Sequence, residues 1–184
     1  MSILDIRVLG DPALRKETVV VERVTDDVRA LINDMFDTMY AAEGIGLAAP
    51  QVGRTERITV MDVEGAKYAL INPEITARTG TIRGEEGCLS IPEVFGEVER
   101  ASAVTITAMD ENGNEIEVVG AELLARCLQH EIDHLHGKLF LDYLSVLKRR
   151  AALAKWDGIK AQYPGYVRKV ILEKRSPHHS EGEL

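Results

Sequence analysis

The sequence predicts an α+β fold, with mostly antiparallel strands packed around one central helix and a further helix toward the C-terminus. Three observations predict it: stretches with apolar residues at helical spacing, stretches between them that alternate like half-buried strands, and short turn signals joining successive strands. At 184 residues and 45% apolar content, the chain is long enough for one domain with an ordinary core. We take residues 1–175 as that domain and 176–184, SPHHSEGEL, as a polar tail without fixed structure.

Taken in order, TDDVRALINDMFDTMYAA (25–42) places Val28, Leu31, Ile32, Met35 and Met39 on one helical face, with Thr25 as N-cap and acids in the first turn. EGIGLAAPQVG breaks that period with three glycines and a proline, so it reads as loop or short strand. RITVMDV and YALINPEI read as strands joined by a turn at Glu64-Gly65. GEEGCLSIPE, rich in glycine and acid, reads as a turn between strand-like regions. AVTITAMD and NEIEVVG flank ENG as a hairpin. Helical spacing returns from Ala121 to His136 and stops at Gly137. A further helix is expected from Ser145 to about Ala161, ended by YPGY, and VRKVILE as a last short strand.

Charge is unevenly spread. Residues 1–137 hold 12 Lys/Arg against 25 Asp/Glu, whereas 138–175 hold 10 against 3. The acidic bulk argues against general or sequence-specific nucleic-acid binding, and leaves the basic segment as a local contact for an anionic partner or as a solvated face. No apolar run is long enough to cross a bilayer, and MSILDIRVLG lacks the pattern of a signal peptide. The expected location is the cytoplasm, with Cys88 and Cys127 reduced.

The chemistry concentrates in RCLQHEIDHLHG (126–137). His130 and His134 are i and i+4, about 40° apart around a helix axis, and can reach one ion. Glu131 can sit beside that ion without binding it, as a general base does. A catalytic site usually takes three protein ligands and leaves a position open for water. His178 and His179 are in the tail, and His136 lies well round the helix. Cys127 and Cys88 remain as candidates for the third ligand, and spacing does not choose between a ligand and a packed thiol.

Three motifs taken together are more specific. GIGLAAPQ (44–51), EGCLS (86–90) and QHEIDH (129–134) resemble the three signature motifs of peptide deformylases, in the family's order and at similar separations. LGDPALR near the N-terminus and INPEI (71–75) resemble it as well, so the likeness covers residues 3 to about 150. The resemblance implies hydrolysis of the formyl group from the N-terminal formylmethionine of new polypeptides. It implies one divalent metal, Fe(II) natively, with Zn(II), Ni(II) or Co(II) possible in purified protein. By position, Cys88, His130 and His134 would bind the metal with water as fourth ligand, and Glu131 would carry the proton. Gln51 and the backbone N–H of Leu89 would hydrogen-bond the formyl oxygen. Gly44, Ile45 and Gly46 would line the cleft, the backbone of Ile45 and Gly46 pairing with the peptide like an added strand.

Physical reasons accompany these roles. A neutral amide at Gln51 donates without adding charge, and glycines at 44 and 46 allow close backbone approach to a substrate. Arg126 and Cys127, one turn before His130, fall on or near the metal-facing side, and are expected at the substrate pocket. The methylene stem of Arg126 is expected at the rim, with its guanidinium in water. Formylated nascent chains are the expected partners, with ribosome contact through the basic segment around Lys148, Arg149, Arg150, Lys155 and Lys160. Two rival readings are a zincin-type protease, which lacks a third ligand at zincin spacing and leaves Cys88 without a role, and a metal-binding protein without catalysis.

Overall fold

A computed structural model describes residues 2–171. The strands are β1 (Ile6–Arg7), β2 (Gly46–Ala48), β3 (Ile58–Val63), β4 (Ala66–Thr79), β5 (Ile82–Cys88), β6 (Ile91–Arg100), β7 (Ala103–Met109), β8 (Glu115–Ala121) and β9 (Val167–Arg168). The helices are α1 (Asp26–Ala41), α2 (Glu122–Leu135) and α3 (Val146–Ile159). Strands β2-β3-β4-β7-β8 form one antiparallel sheet, β5-β6 a separate hairpin, and β1-β9 a short antiparallel pair. The α+β expectation with mostly antiparallel strands holds. Among the described residues, no helix is long and apolar enough to cross a membrane.

Local chemistry sets the helix starts. Thr25 caps α1 by accepting from the N–H of Val28, and Ser145 caps α3 by accepting from Lys148. The face of α1 that carries Leu31, Ile32, Met35 and Met39 is buried against Leu47, Val60 and Ile71 of the sheet. Helix α2 packs on β2, β3, β7 and β8, with Ala125, Leu128 and Ile132 in a cluster shared with Val104, Ile106 and Val118. Helix α3 buries Ala152 and Trp156 against Val94, Val98 and Phe140, and so covers the β5-β6 hairpin.

Two expectations change. GEEGCLSIPE is not simply a turn: residues up to Cys88 belong to β5, Ile91 opens β6, and only Leu89-Ser90 turn. Glycine and acid hid the strand because its pairing partner, not its own propensity, holds it extended. The last strand is only Val167–Arg168, and the tail 176–184 lies outside the described residues.

Candidate active site

Helix α2 brings His130 and His134 to one face, one turn apart and buried, and the end of β5 brings Cys88 to meet them. Cys88 Sγ lies 3.3 Å from His134 Nε2, and the two Nε2 atoms lie 3.2 Å apart. All three candidate ligand atoms fall within 4.8 Å of one another. Four-coordinate metal–nitrogen bonds of about 2.0–2.1 Å would set two ligand nitrogens roughly 3.3 Å apart, so the donor set fits one ion. Of the two cysteines left open by spacing, Cys88 is the one whose sulfur meets the two histidines. Cys127 is buried, its Sγ 3.8 Å from the carbonyl of Ile45, and it borders the cleft instead.

The ring orientation of His130 is fixed from behind. Its Nδ1 lies 3.0 Å from Glu86 Oε2, which leaves Nε2 for the site. Glu86 is gripped by Arg100 through Nε and Nη2 at 2.8 and 3.0 Å, and Arg100 Nη1 reaches Asp133 at 2.6 Å. Burial opposes a charge on Glu86, but hydrogen bonds from His130 and Arg100 outweigh it and bring its carboxyl down to about 2. Removing one partner from such a buried group costs about 3–5 kcal/mol.

Glu131 is buried, and among the described residues its Oε2 has no hydrogen-bond partner, as is true of His134 Nδ1. Burial raises the Glu131 carboxyl to about 7; the charge of His130 opposes this, and the charges of Glu86 and Asp133 add to it. Burial also disfavours charge on both histidines. It holds His134 well below the ordinary histidine range, whereas hydrogen bonds with Cys88 and Glu86 lift His130 above it.

Gln51 enters from the short helical turn Ala49–Val52 that follows β2. Its Oε1 accepts from the N–H of Ala48 at 2.8 Å, which turns Nε2 toward Ser90 Oγ at 3.1 Å and Cys88 Sγ at 3.5 Å. Leu89 sits in the turn after Cys88. Gln51, Cys88 and Leu89 border a cleft of about 570 Å³, lined also by Ile91, Val94 and Cys127, with Gly44, Ile45 and Gly46 along one side. Two of these glycines also make room inside the protein. A Cβ on Gly44 would meet the side chain of Leu89, and one on Gly46 would meet Glu131, so each glycine makes room for a neighbouring side chain.

Arg126 departs from expectation. It borders the cleft, but its guanidinium turns away from water into the protein, where only 11% of the side chain is exposed. His136 faces elsewhere, as expected, with Nδ1 2.6 Å from Glu17. Sequence reasoning missed Glu86, Ser90, Arg100 and Asp133. Glu86 and Ser90 flank Cys88 in EGCLS, and an acid so close to a ligand was a readable signal; Arg100 arrives from β6 and left none. Tyr163 and Arg168 also reach the cleft, from the segment after α3.

The polypeptide deformylase family model matches residues 3–150. The chain belongs to the polypeptide deformylase family. It is 51% identical over 166 residues to peptide deformylase of Alkalilimnicola ehrlichii, covering 88% of this chain and 93% of that one. Peptide deformylase of Hydrogenovibrio crunogenus is 50% identical over 159 residues, covering 85% and 94%. Among solved structures, peptide deformylase from Legionella pneumophila superposes with TM-score 0.84 at 48% identity, covering 88% of this chain and 97% of that chain. The Synechococcus elongatus deformylase, solved with actinonin, gives 0.81 at 46%, covering 84% and 86%. This deformylase is therefore a hydrolase that removes the formyl group from the N-terminal formylmethionine of newly made polypeptides, in a metal-dependent family.

Proposed function

We propose that deformylation in this chain runs on a single divalent ion held by Cys88, His130 and His134, Fe(II) in the cell, with Glu131 as proton carrier. One observation carries the reading. Three donor atoms converge at ion-binding separations, and beside them the buried Glu131 Oε2 has no partner among the described residues. An ion bound there lowers the pKa of water and polarises a carbonyl.

The chain's own groups do the rest. Glu131 follows a ligand histidine directly and holds a proton next to the reacting atoms without taking a ligand position. Gln51 Nε2 and the N–H of Leu89 donate to the formyl oxygen as it gains charge. Strand β2 is an edge of the sheet, and Ile45 and Leu47 turn their carbonyls toward β3. By alternation Gly46 turns its N–H and C=O to the open edge, where an extended peptide can add as a strand. The apolar lining of the cleft suits the unbranched side chain of methionine.

The same reading takes residues 1–175 as one catalytic domain acting in the cytoplasm on nascent chains. For the ribosome, the basic segment around α3 holds several of its cations in ion pairs. Among the described residues Lys148 pairs with Glu97, Arg149 with Asp142 and Lys160 with Asp157, and we propose Arg150 and Lys155 as the contacts.

Glu131→Ala tests the central assignment. The variant should bind one metal per chain as the parent does and lose turnover of a formyl-Met peptide by at least about 100-fold. Loss of the metal, or activity within tenfold of the parent, would overturn it.

A further inference from the structure

Arg126 stands four residues before His130, at the same face of α2, and does not reach out to solvent. Its guanidinium crosses to the β5-β6 hairpin. Nη1 donates to Glu86 Oε1 at 2.8 Å, to the carbonyl of Val98 at 3.0 Å and to that of Gly84 at 3.4 Å, while Nη2 donates to the carbonyl of Ile82 at 3.1 Å. Three of these four acceptors belong to β5 and one to β6.

This matters because of where the ligands come from. The two histidines ride on α2, whose main packing partners are β2, β3, β7 and β8; Cys88 rides on β5, which packs chiefly on β6. Direct packing therefore does little to set the distance between the thiol and the imidazoles. A planar fork that bonds several acceptors at once can set it, and a lysine ammonium cannot do so in the same geometry. Glu86 is the joint: one oxygen takes Arg126 and Arg100, and the other takes Arg100 and His130 Nδ1.

We propose that Arg126 is a positioning residue for the metal site, locking β5 to α2 through Glu86 and the hairpin carbonyls so that Cys88 and His130 hold one ligand geometry. The inference rests on the assignment of Cys88, His130 and His134 as ligands. Its action is on the binding of the ion and on turnover, not on the choice of peptide side chain.

The test uses the full chain loaded with Co(II), whose visible spectrum reports ligand geometry and whose affinity is read by competition with a chelator. Arg126→Leu keeps an apolar stem and removes the fork. It should weaken Co(II) binding about 10–100-fold and shift the ligand-field bands. It should lower kcat for formyl-Met peptides while leaving the ranking of peptides unchanged. Arg126→Lys, which keeps the charge and can hold one acceptor, should fall between Leu and the parent in affinity and in spectrum. Parental affinity and spectrum in Arg126→Leu, with only peptide ranking altered, would overturn the inference and leave Arg126 as a lining residue. If Arg126→Leu does not fold, parental affinity and spectrum in Arg126→Lys would overturn it. A parent protein without a thiolate-to-cobalt band would overturn the ligand assignment itself, which separates that failure from this one.

Discussion

Gly46 and Glu131 are in such close approach that the first has no room for a side chain. A Cβ on Gly46 would lie 2.8 Å from both Cγ and Cδ of Glu131. The edge strand proposed to pair with substrate and the carboxylate proposed to carry the proton therefore constrain each other. Gly46→Ala must displace Glu131 or the strand. A displacement near 1 Å at a reacting group costs about 100-fold in rate, and overpacking costs about 1–3 kcal/mol. We expect kcat to fall by roughly that factor with metal content unchanged. A variant with parental kcat would show that Glu131 reacts from another position.

Gln51 is held from two sides, which gives a second prediction. Ala48 fixes its oxygen and Ser90 receives its amide. Gln51→Ala should reduce kcat by about 100–1,000-fold, the cost of one preorganised donor. Ser90→Ala leaves the donor in place but loosens it, and its loss should be smaller, about tenfold, with stability down by about 1 kcal/mol. Steady-state kinetics and thermal melts on both variants decide this; equal losses in the two would place Ser90 in direct contact with substrate.

Metal exchange gives a third. Thiolate and imidazole ligands accept Fe(II), Co(II), Ni(II) and Zn(II) alike, so ligand type does not choose the ion. Zinc settles in four-coordinate sites, and a zinc form should be stable but slower. Iron held beside the thiolate of Cys88, as proposed, would be exposed to oxidation of the metal and then of the sulfur. Stripped protein reloaded with each ion and assayed with and without oxygen should rank anaerobic Fe(II) first, with Ni(II) and Co(II) active in air. Zinc as fast as iron, or iron activity indifferent to air, would contradict the choice of Fe(II).

The proposed ribosome contact is tested by charge reversal and not by truncation. Cutting the chain after Leu147 would remove Ala152 and Trp156 from the core that covers β5-β6 and would confound binding with folding. Arg150→Glu with Lys155→Glu leaves that core intact. The double variant should bind ribosomes more weakly, with a shallower dependence on salt, and hydrolyse small formyl peptides normally. Unchanged binding at low salt would make α3 a solvated face.

The sequence by itself determined the three helices, strands β3, β4, β7 and β8 of the main sheet and, by resemblance, the chemistry. Period 3.6 marked α1 and α2, the i and i+4 histidines were legible on α2, and GIGLAAPQ and EGCLS named Gln51, Cys88 and Leu89 by resemblance. These signals are local, carried by residues that neighbour one another along the chain. Tertiary structure alone decided what depends on pairing across it. Cys88, 42 residues before His130, meets the two histidines because the paired strand β5 ends beside α2. Gly46 became an obligatory glycine because Glu131 packs on it. The guanidinium of Arg126 turned inward because a buried carboxylate and three strand carbonyls offered more than water did, in an arrangement that no spacing along the chain specifies.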